Sequence, residues 1–106
     1  MIQKIRTSNN YIWLIENLEI KNEAIIGNAV VLSRKLVVSE LGSKMYDNYY
    51  FSQNIRLIYL NKIVEYLTPT RKELEFFELL RKEKELPFTK KIANQFNIME
   101  YVIDEN

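Results

Sequence analysis

The stretch from Tyr11 to Leu36, YIWLIENLEIKNEAIIGNAVVLSRKL, constrains the fold of this chain more than any other. Residues 11–20 are rich in aromatic and β-branched side chains, which predicts a strand. Lys21-Asn22 supplies a turn, and residues 24–31 predict the partner strand of a hairpin. Gly27 inside that second strand predicts a bulge or a close backbone approach. From about Leu32 the period changes. Leu36, Val37, Leu41 and Met45 fall at helical spacings, with Arg34, Lys35 and Lys44 among them and Ser33 as a candidate cap. The hairpin is thus expected to run into a basic, amphipathic helix.

The 106 residues are the length of one domain, and 47% are hydrophobic, enough for a core. Apolar runs are only a few residues long, so no membrane span is expected, and MIQKIRTSNN has no apolar signal-peptide region. The expected location is the cytoplasm. Cysteine and histidine are both absent. Disulfides, thiolate metal sites and imidazole chemistry are therefore excluded. Acid–base work would fall to Asp, Glu, Lys or Tyr, and a bound metal would be a hard cation on carboxylate oxygen. The net charge of +1 argues against strong non-specific phosphate binding but allows a local basic face.

Beyond the hairpin, residues 46–52 are aromatic and fit strand or helix, as does 55–60, IRLIYL. Thr68-Pro69 predicts a helix start with Pro at its first position. Thr70 and Glu73 offer a capping box as the alternative. This helix is expected to continue through ELEFFELLRKEKEL to Pro87, with Arg81 to Glu85 as a solvated end of alternating sign. Thr89 can cap a short helix, KKIANQF, stopped at Asn97, and the tail reads as a short strand or extended arm. The sum is an α+β domain over 1–106: a small antiparallel sheet flanked by helices, in the order β-β-α-β-α-α.

Over residues 11–98 the chain resembles the GIY-YIG nuclease superfamily. Tyr11-Ile12-Trp13 sits where G-I-Y belongs, and Ile15 and Asn17 fit the I-x-N that follows. Ile25-Ile26-Gly27 sits at Y-I-G, Ala29 at the small residue, and Lys35 at the arginine eight positions after the glycine. Glu75, with Glu73 as alternative, matches the family's helical glutamate. Gln95-Phe96-Asn97 matches its terminal asparagine motif. The resemblance implies a catalytic site at Trp13, Ile25, Tyr11, Lys35 and Glu75, with Glu75 the ligand of one Mg²⁺ or Mn²⁺. It also implies nucleic-acid contacts from Arg34, Lys35, Lys44 and Asn97, with DNA favoured over RNA.

The departures fall on the chemistry. The family's two tyrosines, which serve the attacking water, are Trp13 and Ile25 here, and neither can act as a base. Lys35 keeps a positive charge without the arginine fork. Tyr11, Tyr46 or Tyr49 would have to take over the lost role. The expectation is therefore a degenerate member of the superfamily, a nucleic-acid-binding or protein-interacting domain with little or no catalysis. It would act as a homodimer or with a partner chain. The alternatives are an active, divergent metal-dependent endonuclease, and a small interaction or inhibitor protein unrelated to nucleases.

Overall fold

The expected hairpin forms. Strand β2 (Ile12–Lys21) pairs antiparallel with β3 (Ala24–Val38). The turn is Asn22-Glu23, one residue later than expected, and both residues have positive φ. The two-residue turn with left-handed backbone matches the twist of the strands it joins. The computed structural model describes residues 1–38, 45–96 and 104–105, with side chains for 1–34 and 49–96.

Gly27 has the role its position predicts. The register of β2 on β3 slips between Asn17 and Glu19, leaving Leu18 as the extra residue of a bulge. Gly27 faces Asn17, and a Cβ there would sit 1.9 Å from the Glu16 carbonyl oxygen. Only glycine lets the two backbones approach this closely.

The basic helix expected from Leu32 does not form. Residues 32–38 continue β3, and β4 (Met45–Tyr59) returns beside it in unbroken register from Val38↔Met45 to Ala24↔Tyr59. Ser33 is a strand residue opposite Tyr50, not a cap. The β-branched pairs Val30-Val31 and Val37-Val38 favour an extended chain. The aromatic-rich segment 46–51 supplies cross-strand partners, with Leu32 opposite Phe51 and Val37 opposite Tyr46. Pairing along fifteen residues outweighs a few apolar positions at helical spacing. The order β-β-α-β-α-α is corrected accordingly; the α+β class stands.

A strand unrecognised in the sequence, β1 (Ile2–Thr7), lies against β2. A 3₁₀ turn (Leu60–Lys62) links β4 to β5 (Ile63–Leu67), which pairs with the other edge of β1. Of the two readings open for 55–60, strand is the one that forms, and 60–67 is turn and strand. Helix α1 (Arg71–Glu83) starts at Thr70, which forms the capping box with Glu73, so Pro69 precedes the helix. Lys84 ends it with φ 72°, ahead of Pro87, which lies in the short edge strand β6 (Glu85–Pro87). Helix α2 (Lys90–Phe96) is capped by Thr89, whose hydroxyl accepts from Ile92 N. A two-residue strand, β7 (Asp104–Glu105), runs parallel to β3 at Leu32 and Ser33.

The antiparallel sheet has the order β5-β1-β2-β3-β4-β6. Strand side chains alternate between faces, so each face carries its own core. On one face Leu14, Val30, Leu32 and Phe51 pack under Phe76, Phe77 and Leu80 of α1 and Phe96 of α2. On the other, Ile5, Ile15, Ile25, Ala29 and Ile58 form a second buried cluster, flanked by Trp13 and Ile63. No helix among the described residues covers this second cluster. The sheet buries it by curling on itself, because the 3₁₀ turn brings the β5 end of the sheet back to β4. Ser8 N donates to Lys62 O (2.8 Å) and Leu60 N to Glu23 O (2.9 Å), fixing that turn against both neighbouring loops. No helix among the described residues is long and apolar enough to cross a membrane.

Candidate interaction site at the open edge of the sheet

The residues that the nuclease resemblance singles out are distributed over both faces of the sheet. Ile25 is buried in the helix-free cluster, and Trp13 packs against it. Tyr11 precedes β2 and is exposed. Glu75 is exposed on α1, which packs on the opposite face, and its carboxylate pairs with Arg71 Nε at 3.3 Å. The alternative, Glu73, is buried. Its Oε1 accepts from Thr70 N at 2.9 Å, and its Oε2 lies 3.2 Å from Lys4 Nζ. Arg34 is exposed on β3, and Lys35 follows it in the strand opposite Asn48. Lys44 and Asn97 lie outside the described residues.

The sheet therefore stands between Trp13 and Ile25 on one side and the helix of Glu75 on the other. Both Trp13 and Ile25 act as packing groups. The Glu75 carboxylate already faces a guanidinium, and among the described residues no three carboxylate, imidazole or thiolate side chains gather as ligands.

A different site emerges at the outer edge of β4. Strand β6 pairs with this edge only from Tyr50 to Ser52. From Gln53 to Tyr59 no strand among the described residues pairs with it. Gln53 still lies under the helices, its Nε2 donating to Phe77 O at 3.0 Å. Beyond it the same face of β4 leaves the cover of α1. Ile55, Leu57 and Tyr59 are 56%, 49% and 55% exposed, and the bulge residue Leu18 is exposed nearby on β2. The register places Leu57 beside the half-buried Ile26 of β3. The result is an apolar band along a strand whose outer edge no strand among the described residues covers.

A pocket of about 340 Å³ opens at the Tyr59 end of this edge, towards the face of the sheet that carries Trp13 and Ile58. Its walls are Thr7, Ser8 and Asn9 from the β1–β2 turn, Trp13, the β4 segment 57–59, and Lys62. The turn is fixed by its own hydrogen bonds. Thr7 N donates to Tyr11 O (2.9 Å), Asn10 N donates to Thr7 O (2.8 Å), and Asn10 takes a positive φ. The Thr7 hydroxyl accepts from Trp13 Nε1 (3.2 Å) and donates to Asn9 Oδ1 (2.5 Å). The indole is thereby held in one orientation with its polar atom satisfied. An aromatic wall, an aliphatic floor at Ile58 and an ammonium group at the rim suit an apolar side chain with an anionic group close by.

Sequence reasoning missed Thr7, Asn9, Leu57, Tyr59 and Lys62. The available signal was IRLIY, which is apolar in both phases of a strand: Ile55, Leu57 and Tyr59 in one, Ile58 in the other. A strand with one buried face needs only one apolar phase. The second phase marks surface available to something else.

No protein-family model, no curated protein and no solved structure matches the chain.

Proposed function

We propose that this chain is a non-catalytic protein-interaction domain. The observation that carries the reading is the apolar stretch of β4 from Gln53 to Tyr59, whose outer edge no strand among the described residues covers. Edge strands are ordinarily blunted by lysine, proline, a bulge or a covering element, because an open edge recruits other chains. Here Ile55, Leu57 and Tyr59 present apolar surface along such an edge, and clustered surface of this kind marks interaction sites. The placement of Trp13 and Ile25 away from Glu75 gives no support to a phosphodiester-cleaving constellation.

The test is selection of binders from a displayed random dodecapeptide library on wild-type protein and on an Ile55→Lys/Leu57→Lys variant. Both substitutions are at exposed positions and should leave the fold intact, which circular dichroism checks. Peptides that bind wild type and lose the variant support the reading. Peptides that bind both equally, or none above background, overturn it. Plasmid nicking with Mg²⁺ or Mn²⁺, with Glu75→Ala beside wild type, tests the nuclease alternative; cleavage lost only in Glu75→Ala would establish it.

A second reading, nucleic-acid binding, draws on Trp13, Tyr59 and Lys62 around one pocket, with Arg34 exposed on β3. Aromatic rings beside a cation are the ingredients of a single-strand stacking site. Descent from the nuclease superfamily would belong with this reading. A salt-dependent mobility shift on single- and double-stranded DNA and on RNA tests it, and no shift at low salt would remove it.

A further inference from the structure

Resting on the protein-interaction reading, we infer that the outer edge of β4 from Gln53 to Tyr59 accepts an extended peptide as an added antiparallel strand. An apolar side chain of that peptide fills the pocket beside Trp13, and a carboxylate near its N-terminal end meets Lys62.

The same edge already takes a strand in this way. Strand β6 adds antiparallel at Tyr50, Phe51 and Ser52, and the outer edge that no strand among the described residues covers begins at the next residue. A guest strand in the row of β6 would run from Tyr59 towards Gln53 and end beside Glu85. Main-chain hydrogen bonds supply affinity in such additions, and pockets for alternate side chains supply selectivity. The pocket lies against the edge at 57–59, at the N-terminal end of the guest. Its 340 Å³ suits one large apolar side chain. Lys62 is exposed at its rim, which favours an acidic residue there.

A second copy of this chain is a poorer occupant. Its own edge segment, QNIRLIY, has no carboxylate for Lys62, and antiparallel self-pairing over 53–59 would set the Arg56 of each copy opposite the other. Like charges facing each other across a strand pair are destabilising. The charge at the site therefore selects a different, acidic partner over self-association.

The test uses the full chain and a synthetic peptide taken from the dodecapeptide selection. Trp13 is the only tryptophan, so its emission reports the pocket directly. Binding is expected to shift that emission, and Lys62→Glu to weaken binding about tenfold. Two versions of the peptide, N-methylated on alternate sets of amides, separate strand addition from side-chain docking. One set faces β4 and its methylation should abolish binding, while the other should leave it intact. Equal binding by both methylated peptides, or binding without change in Trp13 emission, overturns the inference. If such peptides still require Ile55 and Leu57, the interaction reading survives that failure; if they do not, both fall. A concentration-dependent dimer in sedimentation, blocked by Ile55→Lys, with no peptide enriched, also overturns the inference and assigns the edge to a second copy.

Discussion

Lys4 Nζ lies 3.2 Å from Glu73 Oε2, joining β1 to the first turn of α1. Both side chains are at least nine-tenths buried. Removing one member of a buried pair strands the other charge, which costs about 3 kcal/mol. Lys4→Met is expected to lose that much in urea denaturation. Glu73→Gln is expected to be milder than Glu73→Ala, since the amide oxygen still accepts from Thr70 N. The double variant Lys4→Met/Glu73→Gln should cost less than the sum of the single variants.

Glu75 is two residues from Glu73 and should behave oppositely. Its partner is Arg71, one turn earlier on an exposed helix face. Such pairs contribute only about 0.3–0.5 kcal/mol. Glu75→Ala should leave thermal stability nearly unchanged, so an effect on any activity would be separable from folding.

Gly27→Ala should be the most damaging small substitution in the sheet. The added carbon would meet the Glu16 carbonyl oxygen, a backbone atom with no freedom to move aside. A loss of about 2–4 kcal/mol is expected, read as a lowered urea midpoint. The bulge at Leu18 must flatten or the strands must part.

Glu23 offers the reverse. It holds φ 61° in the β2–β3 turn, where a side chain is strained and glycine is not. Glu23→Gly makes the turn Asn-Gly and should raise stability by about 1 kcal/mol. The Leu60 N to Glu23 O bond is main-chain and should persist.

The part of the fold legible in sequence was the part written in local chemistry. The β2–β3 hairpin, the glycine at a close approach, the Thr70–Glu73 box and the Thr89 cap each depend on a few neighbouring residues. What escaped depended on partners far along the chain. Leu36, Val37 and Met45 satisfy a helical spacing, yet the long pairing of β3 with β4 decides their conformation. Ile2–Thr7 alternates weakly because Lys4 occupies an inward position, and its partner Glu73 is sixty-nine residues away. Arg81, expected on a solvated helix end, instead reaches Glu16 on β2 at 2.6 Å. The candidate site escaped for a similar reason. Trp13, Tyr59 and Lys62 meet only because the sheet curls, and the curl follows from the pairing of β5 with β1.

That pairing also sets a timetable for synthesis. β1, β2, β3 and β4 are successive neighbours and can zip up as each leaves the ribosome. The far edge of β1 must wait until Ile63–Leu67 has been made, more than fifty residues after Thr7. At roughly 5–20 residues per second the delay is roughly 3–11 s. From its synthesis until the end of that interval, each of Ile5, Ile15 and Ile25 remains open to water on a sheet that has not yet curled. The nascent chain is therefore most vulnerable to aggregation just before its fifth strand emerges, and a chaperone acting on it would have that window.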